Sequence, residues 1–302
     1  MADNAFHPME SLPDEVQEPI VFPKITTSLT TIPFRDINGW TRHFANVDIP
    51  IKRETALIIE EMRENEDDVE ANALAEIIRD DPLLTLKVIV QLSRSRSSKI
   101  VTPPETVLST LVMMGICPFF RKFGPQPTIE DRLEKHPEAL QSLQELMKRS
   151  HRAANFALNF AIHRMDDDAD VIHLAALLHD SAEMMMWCHA PELMLKIKHA
   201  QKADSSLRSS IIQPAVLNCE LLDLTQNLFK LWRMPELLIK ATDDKHAETP
   251  KVKQVKLGVQ VARHTAQQGW YNPAMPDDVV EVAQLLQLSN KASLQLLQNI
   301  DF

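Results

Sequence analysis

Glycine is nearly missing from this chain, with five among 302 residues. Tight hairpin turns use backbone at positive φ, which glycine supplies without steric cost, so the shortage argues against a strand-rich fold. Cysteine is as sparse. Cys117, Cys188 and Cys219 are odd in number, far apart and never in a CxxC pair. That spacing suggests neither a disulfide framework nor a thiolate zinc site, and leaves three buried free thiols as the expectation. No apolar run approaches the roughly 20 residues that span a bilayer. The longest, Leu174 to Cys188, is interrupted by His179, Asp180 and Glu183. The first fifteen residues are acidic and lack the apolar core of a secretory signal. Positive charge is in deficit as well. A net charge of −10 disfavours a broad footprint for nucleic acid or acidic lipid, and the small cluster Arg94, Arg96 and Lys99 reads as a solvated loop. There is no P-loop, dinucleotide fingerprint, serine elbow or internal repeat, so no cofactor is indicated. These absences point to a soluble, cytoplasmic protein without membrane or nucleic-acid partners.

What is present is helical. The chain is 44% hydrophobic, enough to bury a core, and Leu, Ala, Glu, Gln, Lys and Met fill most segments. Four prolines and many polar residues make residues 1–30 a weakly ordered arm. Periodicity predicts helices over Asp36–Ala45, Pro50–Asn65, Val69–Asp80 and Leu83–Leu92, the last apolar nearly all round and so buried. A further helix is expected after Thr102, read as its N-cap. Gly124–Pro137, with three prolines, looks like a connection between two helical halves. A long helix follows over Pro137–Met165, then Asp170–Cys188, Ile211–Trp232, Pro235–His246, Lys251–Gln268 and Asp277–Leu288. The expected organisation is an arm with one short helix over 1–48, a helical half over 49–125, and a second helical half over 126–302.

Two of these helices carry a histidine where core is expected. The apolar stripe Leu140, Leu143, Met147, Ala154, Leu158, Ile162 passes through His151. On the next helix, His179 shares a face with Ile172, Ala175, Ala182 and Met186, and Asp180 follows it. Imidazole and carboxylate ligate zinc, iron and manganese, and a helix pair presents them rigidly. The plain alternative is a hydrogen-bonded core histidine. Met184, Met185 and Met186 read as core packing, and Asp166, Asp167, Asp168 and Asp170 as carboxylates at a helix start, where the dipole favours them.

Several ordered motifs resemble the HDOD family, degenerate relatives of HD-type metal phosphohydrolases, here of the bacterial stand-alone type. IPIKRETALIIEEM and LAEIIRDDPLLTLKVIVQL, within residues 49–97, resemble its opening. TVLSTLVMMGI (Thr106–Ile116), AALLHD (Ala175–Asp180) and NCELLDLTQNLFKLWRMP (Asn218–Pro235) are similar to later elements. The resemblance implies an all-α fold in which an HD-like helical domain packs against an N-terminal helical subdomain. It also implies a site. The hydrolases hold metal with an upstream His, a His-Asp doublet and a downstream Asp, which map here to His151, His179-Asp180 and Arg263. Positions that carry further histidines hold Leu221, Asp244 and Lys245, with His246 nearby. A cation at the fourth ligand position repels a metal as well as failing to bind it. The implied outcome is a vestigial site of His151, His179, Asp180 and Arg263, with no catalytic residue; His151, His179 and Asp180 together make at most a weak metal site. Arg263 is expected to enter the cavity and neutralise Asp180. The implied role is non-catalytic signalling through partner proteins or a small molecule in the HD-like cavity, the alternative being a metal-dependent phosphodiesterase acting on nucleotides or cyclic dinucleotides.

Overall fold

The computed structural model describes residues 20–94, 105–244 and 249–301. Their elements are α1 (Ile37–Phe44), α2 (Arg53–Glu64), α3 (Ala71–Arg79), α4 (Pro82–Arg94), α5 (Val107–Met114), α6 (Ile116–Lys122), α7 (Ile129–Arg132), α8 (Pro137–His163), α9 (Ala169–Leu178), α10 (Ser181–His189), α11 (Pro191–Ala203), α12 (Ser209–Leu217), α13 (Leu221–Leu231), α14 (Glu236–Ala241), α15 (Pro250–Gln268), α16 (Met275–Leu286) and α17 (Asn290–Ile300). Among the described residues the fold is all-α. The one sheet-like feature is an isolated parallel bridge between Ile51 and Thr128. No described helix is long and apolar enough to cross a membrane.

The Asp81-Pro82 step organises the N-terminal elements. The Asp81 carboxylate, fully buried, accepts from the backbone N–H groups of Leu83 and Leu84 at 3.0 and 3.2 Å, capping α4. It also accepts from the Lys52 N–H at 2.7 Å, fixing the start of α2. Burial pushes its pKa up, against these bonds. Thr85 donates to the Ile78 carbonyl at 2.6 Å and closes the α3–α4 corner.

The central element is α8, which packs against α4, α9, α10, α11, α15 and α17. Its closest neighbour is α15. A Cβ added to Gly258 of α15 would lie 2.7 Å from the Ala153 carbonyl oxygen and 3.0 Å from the Ala157 nitrogen, so glycine is what lets the two backbones approach. Ala153 and Ala157, the residues of α8 that face Gly258, keep the seam small. One connected core runs from Ile59 and Leu86 through Phe119, Phe156 and Leu177 to Val261.

Several sequence expectations change. The helices expected over Asp170–Cys188 and Ile211–Trp232 are each two helices. Asn218, at φ 59°, ends α12 in the left-handed conformation that Asn tolerates better than most residues. Its side chain donates to the Phe34 carbonyl at 2.8 Å, and the Trp40 indole donates to the freed Leu217 carbonyl at 2.7 Å. The helix expected over Pro235–His246 is shorter, and α11 and α17 had no counterpart in the sequence reading. Thr106 caps α5 in a reciprocal capping box with Ser109; Thr102, Arg96 and Lys99 lie outside the described residues. Cys117 is only half-buried. Ile162, placed on the core stripe, is 59% exposed. Asp168 and Asp166 do not cap; they bind Lys251 and Gln254. Part of the arm is tied down, since Thr30 N–H donates to the His189 carbonyl at 2.7 Å and Arg132 to the Thr27 carbonyl at 2.6 Å.

Candidate functional site

The His-Asp doublet sits in the break between α9 and α10. The Ser181 hydroxyl donates to the Leu178 carbonyl that the break would leave open, and Thr225 of α13 accepts from the Ala182 N–H at 3.3 Å. His179, with 4% of its side chain exposed, is thereby placed at the floor of a cleft of about 1040 Å³ between α8, α11, α12, α13 and α15.

Both ring nitrogens of His179 face carboxylates. Nδ1 lies 2.9 Å from Asp180 Oδ1, and Nε2 lies 3.2 Å from Asp244 Oδ1. Ionised carboxylates only accept, so both contacts are satisfied together only by the doubly protonated ring, which donates from each nitrogen. Burial opposes that charge, but the hydrogen bonds and charges of Asp180 and Asp244 outweigh it and raise the His179 pKa to about 9. Asp180 receives two further cations. Arg149 of α8 donates from Nη2 to Oδ2 at 2.9 Å and reaches Glu183 Oε2 at 3.4 Å. Arg263 of α15 approaches Oδ1 at 3.4 Å. Burial pushes the Asp180 carboxyl up, but Arg263, His179 and Arg149 hold it well below the usual range. The Asp244 carboxyl is lowered too: burial pushes it up, but the hydrogen bond and charge of His179, with the charges of Lys256 and Arg263, together outweigh that.

Three cations, His179, Arg149 and Arg263, thus balance three carboxylates, Asp180, Glu183 and Asp244. These residues do not fit a metal ion. Ligation needs an imidazole lone pair and exposed carboxylate oxygens, whereas here both nitrogens are engaged and guanidinium groups cover Asp180. Among the described residues, no group of three His, Cys, Asp or Glu side chains is arranged to hold an ion.

Of the residues singled out from sequence, His179, Asp180 and Arg263 come together, and Asp244 joins them. Arg263 enters the cleft as expected, but 52% of its side chain is exposed and its contact is long. Leu221 lines the cleft as buried apolar wall. Lys245 and His246 lie outside the described residues. His151 is not in the group. Its Nε2 lies 3.0 Å from the Asp80 carbonyl oxygen, on the side of α8 that faces the α3–α4 corner. Burial, with Lys52 nearby, lowers its pKa although Asp80 opposes the shift. The reason is helical geometry: residues two apart differ by about 200°, so Arg149 meets Asp180 while His151 points away. The sequence reading missed Arg149 and Glu183. The available signal was Glu145, Arg149 and Arg152, charged at four- and three-residue spacing along α8. All three line the cleft.

The fold and this cleft define an all-helical protein with a charge-paired His-Asp doublet at a helix break. The HDOD domain family matches residues 49–248 of the 302, and the chain belongs to that family. Two solved structures share the fold. One is the MmoQ response regulator of Methylococcus capsulatus strain Bath, with TM-score 0.60, 18% identity, and coverage of 83% of this chain and 98% of that one. The other is a virulence factor of Campylobacter jejuni subsp. jejuni, with TM-score 0.57, 16% identity, and coverage of 87% and 93%. No curated protein sequence matches the chain.

Proposed function

We propose that this HDOD protein is a non-catalytic regulator that works by binding rather than turnover. The observation that carries the reading is His179 donating from both ring nitrogens to Asp180 and Asp244 while Arg149 and Arg263 neutralise Asp180. A metal phosphohydrolase needs these groups as ligands that retain an ion and activate its water. Here an ion would have to displace a proton from a group with a pKa of about 9 and one or both guanidinium groups. The ion pairs do the structural work that a metal does in a hydrolase. The description of the Methylococcus relative as a response regulator is of the same kind as this reading. The proposal for this chain extends to signalling proteins as partners and the cytoplasm as compartment.

Elemental analysis of protein purified without chelator, together with hydrolysis assays on a phosphodiester and a nucleotide in added Mn²⁺, Fe²⁺ or Zn²⁺, tests the proposal. The expected result is substoichiometric metal and no turnover. Stoichiometric metal with turnover abolished by His179→Ala would establish the phosphodiesterase alternative instead.

A further inference from the structure

The chain carries a net charge of −10, yet with His179 protonated the cleft is lined by seven basic and five acidic side chains. The inner six neutralise one another, as described, and Arg152 is paired with Asp301. That leaves Lys148, Lys198 and Lys202 against Glu145 and Glu220 along the rim. Lys148 of α8 and Lys202 of α11 make no hydrogen bond or ion pair among the described residues. Lys198 donates to Ser142 Oγ at 2.7 Å and lies 3.9 Å from Glu138. Arg263 belongs to the inner group, but its contact with Asp180 is long, at 3.4 Å, and half of its side chain is open to the cleft. The low-dielectric wall of the concavity focuses the field of the unpaired lysines inward.

The cleft is not uniformly polar. Trp187, Ile197 and Leu221, each about 5% exposed, form apolar wall. Ser209 and Ser210, in the first turn of α12, contribute hydroxyls opposite them. A volume of about 1040 Å³ exceeds what an inorganic anion fills and lies at the upper end of small-molecule sites. We infer that the cleft binds an organic phosphate, with its phosphate groups among Lys148, Lys202 and Arg263 and its apolar body against Trp187 and Leu221. Guanidinium and ammonium groups with hydroxyl donors suit phosphate oxygens, and the apolar wall selects for something attached to them. The inference rests on the non-catalytic reading, because a metal ion at His179 and Asp180 would itself take the phosphate oxygens here assigned to the basic side chains.

Calorimetric titration of the full chain with ADP, inorganic pyrophosphate and adenosine tests it. ADP is expected to saturate at one per chain, pyrophosphate to bind more weakly, and adenosine to give no measurable heat. Raising salt weakens ADP binding. The double variant Lys148→Ala/Lys202→Ala, which removes no hydrogen bond or ion pair among the described residues, should lose about tenfold or more in affinity while its thermal midpoint stays that of the parent. Absence of saturable ADP binding, unchanged affinity in the double variant, or saturation only by a glutamate-rich peptide would each overturn the inference. Phosphate released from ADP during the titration would overturn the non-catalytic reading instead. It leaves the ligand assignment standing wherever the lysine variant binds more weakly.

Discussion

Asp180 decides the character of the site through its choice of cation. Sequence register placed Arg263 beside it, and the two do meet, but the closer partner is Arg149, at 2.9 Å with 22% of its side chain exposed. Removing one member of a shielded pair strands the other's charge, whereas an exposed pair is screened by water. Arg149→Ala is therefore expected to cost about 3 kcal/mol in urea denaturation, and Arg263→Ala less than about 1 kcal/mol. Adding Asp180→Asn to Arg149→Ala should recover part of the loss, the coupling expected of residues in contact. Equal losses for the two arginine variants would mean that Arg263 holds the carboxylate as firmly as Arg149 does. Arg152, one turn on, has a different task. It grips Asp301 through two 2.7 Å bonds and donates to Thr265 at 2.7 Å, tying α8 to α15 and to the end of α17.

Helices were legible where one face alternates with solvent, and their ends were legible where capping residues mark them. The reading failed for α8. Its expected stripe ran through Leu140, Leu158 and Ile162, which are only half-buried or exposed, whereas the buried face is centred on Ala139, Leu146, Ser150, Ala153, Ala157 and Phe160, where small and polar residues hide it from a hydrophobicity pattern. The breaks inside the expected Asp170–Cys188 and Ile211–Trp232 helices were hidden for a related reason. Neither contains the glycine or proline that would mark an interruption at the break itself; Asn218 and the Ser181 hydroxyl provide it instead. The close approach of α8 and α15 makes a test at this scale. In Gly258→Ala the new methyl meets backbone atoms of Ala153 and Ala157, which cannot rotate away. Overpacking of this kind is worth about 1–3 kcal/mol, and a thermal melt should show the variant less stable than the parent. A midpoint unchanged or raised, as helix propensity alone would favour, would show that the seam is looser than the structure has it.

Over the whole molecule, buried histidines of opposite sense shape stability against pH. His179 binds its proton more tightly when folded, with a pKa of about 9 against an ordinary 6.5. Its contribution is complete below 6.5 and is lost as pH rises through 9, on the order of 3 kcal/mol in all. His173, at about 4, and His189, at about 3, are lowered chiefly by burial, assisted by Arg79 and Arg132 respectively. The folded protein holds them neutral, so their contribution is complete above 6.5 and is lost as pH falls toward those values. Stability measured by denaturant titration across pH should peak near neutrality and fall on both sides. His179→Gln should flatten the alkaline limb while leaving the acid limb in place; an alkaline limb equally steep in that variant would refute the protonated assignment.

Composition and ordered motifs were enough to determine the helical class and the family, because glycine supply, helix propensity and short motifs are properties of neighbouring residues. The same local information placed His179, Asp180 and Arg263 at one site, through register with a known pattern. Only the tertiary structure separated His151 from that site and put Arg149 there, since the rotation of α8 is set by everything packed around it. Only it showed the imidazole ring between two carboxylates, because Asp180 and Asp244 are 64 positions apart in the chain and 2.9 and 3.2 Å from the same ring. Ionic pairing of this kind depends on distance in space and on the water excluded around it, and neither quantity is written in the order of the residues.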